Sequence, residues 1–348
     1  FDQIKNIGNK VLNILKRKTG FIELATETNL ETSEQWTNLD NDVQLRLVDT
    51  AVIEVKPVES SEQFIVMSCG IHGNETAPIE IISELISQIV NCELEPKVNL
   101  LFILGNPESM KIEDRFTSIN MNRLFAGAFK NYELNDENRY ELRRAERLED
   151  LVSNFFEKSN AGSNKLHLDL HTAIKPSFHK TFAIRPFCQT MISAQSKSLL
   201  KAMGIEAVLQ HNKVSTTFSY FSVEKFDAEA YTLELGKVKK FGENDPADFK
   251  KAANTLTALI TDEEIAEHSE QPLIEYKVVA EIIRDSEDFK FYVSDDVENF
   301  TSFPQGFLIS EDKNHSYRVA FEQEAVVFPN PNVPVGQRVA VMVTSETF

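Results

Sequence analysis

The chain has 348 residues, longer than a usual single domain, so a large core with a smaller second unit is expected. With 42% apolar and 26% charged residues it has a globular composition, which excludes a disordered or fibrous chain. The formal charge of −18 argues against nucleic acid as a partner, and it requires local cations wherever an anionic small molecule is to bind.

No membrane span is predicted, because the longest apolar run, Leu100 to Leu104, falls far short of the roughly 18 residues needed. The segment Phe1 to Lys18 is amphipathic, with Phe1, Ile4, Val11 and Leu15 interrupted by lysines, and it lacks the apolar centre of a signal peptide. The three cysteines, Cys69, Cys92 and Cys188, are too scattered for a disulfide framework. A cytoplasmic protein is therefore expected. The chain begins at Phe1 and not at methionine, which leaves room for native residues ahead of it. Oligomeric state, a homo-oligomer included, stays open.

The first strand expected is Gln63 to Cys69, followed by a loop and a helix from Ala77 to Val90, where Ile79, Ile82, Leu85, Ile86 and Ile89 recur at helical spacing. A second strand, Val98 to Leu104, is stopped by Gly105-Asn106-Pro107. A helix over Glu137 to Phe156 has one face marked by Leu142, Ala145, Leu148, Val152 and Phe155, and its charged remainder, Arg143, Arg144, Glu146 and Arg147 among it, reads as a solvated face. Further strands are expected at Leu166 to Leu170, Thr181 to Arg185, Glu206 to Leu209 and Ala230 to Leu235. A helix from Ala247 to Ile260, opened by Asp245 and Pro246, closes this part. Alternating strands and helices imply a mixed or parallel sheet covered on both faces, with functional residues beyond the C-terminal ends of strands. The remaining stretches, Glu275 to Ile283, Phe289 to Val293, Tyr317 to Phe321, Glu324 to Phe328 and Arg338 to Val343, read as successive strands. The expected organisation is α/β: a mixed sheet flanked by helices in residues 1–268 and a smaller all-β domain in residues 269–348.

The loop Gly70-Ile71-His72-Gly73-Asn74-Glu75 puts an imidazole and a carboxylate three residues apart at a strand's end. Two such groups can converge on a cation, and hydrolytic zinc is commonly held by two histidines and a glutamate with a fourth position open to water. His171, ending the strand Leu166 to His171, offers a third ligand. His167 is roughly 13 Å away along that strand, too far to share the ion, and reads as a satisfied structural histidine. Asp169, roughly 7 Å away by the same rise, reads either as a hydrogen-bond acceptor for a ligand imidazole or as a carboxylate satisfied by backbone amides. Cys69 precedes His72 closely enough to suggest a ligand, but a small buried residue ending a strand is the simpler reading.

Glu234, in Thr232-Leu233-Glu234-Leu235-Gly236, is a carboxylate at the end of an apolar strand, where an unpaired charge is costly. It is either the base for an attacking water or a capping or ion-paired glutamate. The cations that an anionic substrate demands can come from Arg115 and from Asn122-Arg123, a fork of donors with a neighbouring amide.

Taken in chain order, Gly-Ile-His72-Gly-Asn-Glu75, Asn122-Arg123, Asp169-Leu-His171-Thr and Glu234-Leu-Gly resemble the zinc carboxypeptidase superfamily in its aspartoacylase and succinylglutamate desuccinylase branch. GIHGNETAP at Gly70 to Pro78, DLHTAI at Asp169 to Ile174 with His179 downstream, TLELGK at Thr232 to Lys237 and FPNP at Phe328 to Pro331 lean toward the desuccinylase side. The likeness runs from about Asn38 onward. It implies a carboxypeptidase-like fold whose C-terminal β domain narrows access to the site. It also implies one Zn²⁺ per chain on His72, Glu75 and His171, with Glu234 as general base and later acid. Arg115 would stabilise the oxyanion, and Asn122 and Arg123 would hold a carboxylate of the amino-acid portion. For the succinyl carboxylate Lys175, His179 and Lys180 are candidates. The implied reaction is hydrolysis of N-succinyl-L-glutamate to succinate and L-glutamate, the closing step of arginine catabolism by the succinyl route. Two rivals remain: hydrolysis of another substrate, such as N-acetylaspartate or a peptide C-terminus, and a non-catalytic zinc-binding protein of the same fold.

Overall fold

A computed structural model describes residues 2–27, 35–265, 272–313 and 315–345, with side chains from residue 9 onward. The roles expected for the Phe1 and Ile4 side chains, and the boundary expected between residues 268 and 269, lie outside the described residues and side chains. The chain opens with helices α1 (Asp2–Leu15) and α2 (Gly20–Thr26). Three strands not anticipated from sequence follow, β1 (Thr37–Asn38), β2 (Gln44–Asp49) and β3 (Val52–Lys56). The expected strand and helix pairs come next: β4 (Gln63–Cys69), α3 (Thr76–Val90), β5 (Asn99–Leu104), a short α4 (Pro107–Lys111) and α5 (Arg139–Phe156). Then come β6 (Asn164–Ala173), β7 (Phe182–Arg185), α6 (Ala194–Ala202), β8 (Ala207–Gln210), α7 (Phe218–Phe226), β9 (Glu229–Lys237) and α8 (Pro246–Thr261).

The remainder is all strand: β10 (Ile274–Ile283), β11 (Lys290–Phe291), β12 (Thr301–Ser302), β13 (Leu308–Glu311), β14 (Ser316–Arg318), β15 (Ala325–Val327) and β16 (Arg338–Ser345). The strands expected at 289–293 and 317–321 are shorter than read, and β12 and β13 were not foreseen.

A single sheet runs β1-β2-β3-β5-β4-β6-β9-β7-β8-β10-β16-β15-β12, and β11-β13-β14 form a small second one. Its middle, β5-β4-β6-β9, is parallel, which is why β4 and β5 read as continuous apolar runs buried on both faces. On one face α3 and α8 pack with α1 and α2, burying Leu15, Phe21, Ile82, Ile86 and Leu256; on the other, α5 and α7 bury Leu148, Phe155, Phe218 and Phe221. The C-terminal strands are not detached from this layer. β10 pairs in parallel with β8 from Ile274 to Lys277 and then continues as the antiparallel partner of β16, so the smaller β region grows out of the catalytic sheet's edge.

The charged side of α5 is not all solvated. Arg144 is buried and donates to the carbonyls of Gly105, Leu104 and Thr50 and to Asp49. It thereby gathers backbone acceptors left over where β5 ends, because an arginine can satisfy several carbonyls at once.

Candidate metal centre

The site lies at the C-terminal ends of the parallel strands β4, β6 and β9. His72 and Glu75 come from the loop after β4, His171 from β6 and Glu234 from β9, as an open α/β sheet favours. After β4 the chain turns sharply through Gly70, whose φ of +62° suits glycine, and His72 follows in the loop. Gly73 sits so close to α4 that a Cβ there would meet the Met110 nitrogen at 2.2 Å, so the bare backbone lets the loop seat against that helix. Glu75 occupies the N-cap of α3 but makes no side-chain cap bond. Its carboxylate is turned instead toward two imidazoles.

Glu75 Oε1 lies 2.8 Å from His72 Nδ1, and Oε2 lies 2.8 Å from His171 Nδ1. Arg115 Nη1 donates to Oε1 at 2.8 Å and the Thr172 N–H to Oε2 at 3.1 Å. One atom from each of His72, Glu75 and His171 can be chosen so that all lie within 4.8 Å of one another, and all three residues are buried. The far nitrogens are held as well: His72 Nε2 against Asn120 Oδ1 at 2.9 Å and His171 Nε2 against Asp169 Oδ2 at 2.9 Å. Ring orientations fixed in this way present both Nδ1 atoms to one point.

The donor set fits a divalent cation. Burial disfavours the Glu75 carboxylate, yet His72 and His171 outweigh it and hold its pKa well below the ordinary range. Burial also works against a charged His171, but Asp169 and Glu75 raise its pKa well above the ordinary imidazole value. Burial lowers the pKa of His72 and favours its neutral imidazole, the form that ligates a cation, while the Asp169 and Glu75 carboxylates favour positive charge at His171. Asp169 accepts from Ser68 and His171, so it is the imidazole's acceptor and not a carboxylate spent on backbone amides. Cys69 belongs to the apolar cluster on the other side of the sheet, with its sulfur against the Ile103 carbonyl, and it takes no part.

Glu234 is the register partner of His171 on β9. The pairing of β6 with β9 slips just after this point, between His171 and Ala173, and opens the strand ends where the site lies. Glu234 Oε2 is buried without a hydrogen-bond partner among the described residues. Burial and then the charge of Glu75 push its pKa up to about 7, against the pull of His171 and Arg115. A carboxyl so placed is neither a cap nor half of an ion pair, and it can exchange a proton near neutrality.

Arg115 is partly exposed, and Asn122 is buried with Oδ1 accepting from Phe218 N at 3.0 Å, which leaves Nδ2 without an acceptor among the described residues. Arg123 is exposed, donates Nη1 to the Asn122 carbonyl, and has no carboxylate partner among the described residues. The segment carrying these groups is gripped by Glu141 of α5, whose carboxylate accepts from the N–H groups of Thr117, Ser118 and Ile119. Of the candidates for the succinyl carboxylate, Lys175 donates to the Asp295 carbonyl, and His179 is buried against Tyr276 and Phe300 with Nε2 3.0 Å from the Tyr276 hydroxyl. The Lys180 N–H donates to Glu206. Sequence reasoning missed Asn120, Ser68 and Glu141, which act through partners distant in the chain.

A mixed α/β sheet carrying a buried His-Glu-His group beside a glutamate unpaired among the described residues is the arrangement of a metal-dependent hydrolase. Residues 61–260 match the succinylglutamate desuccinylase/aspartoacylase catalytic domain, and residues 271–346 match the AstE/AspA barrel-sandwich hybrid domain. A succinylglutamate desuccinylase of Yersinia enterocolitica is 41% identical over 295 residues, covering 85% of this chain and 88% of its own. Solved structures of the succinylglutamate desuccinylases of Vibrio parahaemolyticus and Vibrio cholerae superpose with TM-scores of 0.86 and 0.85 at 36% and 35% identity, each covering 93% of this chain and 94% of its own. The chain belongs to the succinylglutamate desuccinylase/aspartoacylase family and carries its catalytic domain.

Proposed function

We propose that this chain hydrolyses N-succinyl-L-glutamate to succinate and L-glutamate, with one Zn²⁺ held by His72, Glu75 and His171. The observation that carries the chemistry is the buried Oε2 of Glu234, beside His171 and without a hydrogen-bond partner among the described residues. The choice of substrate is supported by the relatives above, which bear that activity in their names. Bound there, the ion supplies Lewis-acid polarisation of the amide carbonyl and of water.

Glu234 takes the proton from the attacking water on a carboxylate oxygen and returns it to the departing glutamate nitrogen, a task suited to a carboxyl near 7. Arg115 donates to the oxygen that gains charge as the carbonyl carbon becomes tetrahedral. Asn122 Nδ2 and the Arg123 fork hold a carboxylate of the glutamate part, where the absence of a counter-ion among the described residues leaves Arg123 available. These local cations offset the −18 charge of the whole chain.

Among the described residues no helix is long and apolar enough to cross a membrane. A cytoplasmic setting without nucleic-acid partners, a place at the end of arginine catabolism by the succinyl route, and a division into catalytic residues 1–268 and a β unit 269–348 belong to the same proposal. The metal half of it is tested by titrating Zn²⁺ into chelator-stripped protein while following amide cleavage. Activity that rises to a plateau at one equivalent supports the assignment; full activity in stripped protein overturns it.

A further inference from the structure

Behind the metal group lies a second polar chain that the reaction does not use. Ser68 on β4, His167 and Asp169 on β6 and Ser222 on α7 are all buried to within 1% of full enclosure, in a region otherwise lined by Phe218 and other apolar side chains. Ser68 Oγ lies 2.5 Å from Asp169 Oδ1 and 2.9 Å from His167 Nε2, and His167 Nδ1 lies 2.7 Å from Ser222 Oγ.

Elementary donor and acceptor accounting fixes the direction of every bond. An ionised Asp169 can only accept, so Ser68 gives it the hydroxyl proton and must take its own bond from the His167 Nε2–H. His167 is then the Nε2–H tautomer, and its Nδ1 accepts from the Ser222 hydroxyl. Burial keeps this imidazole neutral, with its pKa pushed down to about 4. The other oxygen of Asp169 accepts from His171 Nε2–H, which leaves His171 Nδ1 to face Glu75 and the metal point.

We propose that Ser68, His167 and Ser222 are positioning residues for the metal centre, forming a one-directional buried relay that fixes Asp169 and, through it, the metal-facing Nδ1 of His171. The inference rests on the metal reading of His72, Glu75 and His171 and extends it three side chains beyond Asp169. Without Ser68 the Asp169 carboxylate loses a donor that holds one of its oxygens, and it can rotate away from the imidazole.

The test is zinc affinity, measured by competition with a chromophoric chelator, in the full chain and in Ser68→Ala, Ser68→Thr, Ser222→Ala and the control Ser87→Ala. Ser87 is also buried, at 4% exposure, but among the described residues its hydroxyl bonds only the Lys16 carbonyl and the Asn91 side chain, on the far stretch of α3. Ser68→Ala is expected to weaken zinc by roughly tenfold or more, the usual scale for lost partners of metal ligands, and Ser68→Thr to restore most of it. Ser222→Ala, at the far end, is expected to weaken it by roughly threefold while its folding stays intact, and it serves where Ser68→Ala does not fold. Affinities of Ser68→Ala or Ser222→Ala equal to the parent's overturn the relay, as does an equal loss in Ser87→Ala. Failure of the unsubstituted chain to bind zinc overturns the metal reading itself and the relay with it.

Discussion

Glu234 and His171 stand side by side in register on adjacent parallel strands, one offering a carboxylate oxygen with no hydrogen-bond partner among the described residues and the other a nitrogen aimed at Glu75. In the proposed reaction this pairing separates proton transfer from metal holding. Glu234→Gln, of nearly the same shape, is expected to lower turnover by roughly 10²- to 10⁴-fold, while zinc content stays at one per chain. Metal analysis beside initial rates checks it, and appreciable turnover in the variant would remove Glu234 as the base.

Replacing His171 by alanine acts on the other half of the pair. The variant loses one of three ligands and leaves Asp169 without its imidazole. It is expected to come through gel filtration folded but without zinc. Retention of stoichiometric metal would refute His171 as a ligand.

The burial of Glu234 also predicts a pH signature in the metal-free protein. Its pKa is raised from an ordinary 4.5 to about 7, so the folded state binds a proton in that interval that the unfolded state does not. Stability from this group is therefore present at low pH and is lost as pH rises through about 7. Moving a carboxyl by that much corresponds to about 3 kcal/mol. Glu234→Gln should stabilise the stripped protein at pH 8 by up to about 3 kcal/mol and leave it nearly unchanged at pH 4. Urea unfolding at the two pH values measures the difference, and equal effects at both would argue against a raised pKa.

Glu141 holds the segment bearing Arg115, Asn122 and Arg123 without touching the site itself. Burial opposes its ionisation, but the backbone donors win and keep its pKa below the ordinary carboxylate value. Glu141→Ala is expected to cost about 3 kcal/mol of stability and to reduce kcat/KM by about tenfold, as loosened positioning groups do. A variant as stable and as active as its parent would show that the segment holds itself in place.

The candidate metal group was legible because its pattern is local: His72 and Glu75 share one loop and His171 ends one strand, so loop spacing and strand-end position, joined by the family resemblance, brought them to notice. Glu234 stood out because the residues around it are apolar. Asn120, Ser68 and Glu141 were not legible, since each gains its meaning from a partner found only after folding. Arg144 was misread for a related reason. It lies one turn from Leu148 at the margin of the α5 apolar stripe, and charge alone does not tell a solvated residue from one that collects buried carbonyls. The small C-terminal strands blurred because runs of two to four residues carry little periodicity, and the continuity of β10 with β8 is a long-range pairing that no local pattern encodes.

The most direct measurement is release of free glutamate from N-succinyl-L-glutamate by the zinc-loaded chain, run beside free aspartate from N-acetyl-L-aspartate and a chelator-treated control. The account predicts rapid cleavage of the succinyl compound, slow or no cleavage of the acetyl compound, and loss of activity with chelator. Preference for N-acetyl-L-aspartate would contradict the substrate, and failure to cleave either would contradict the proposed catalysis.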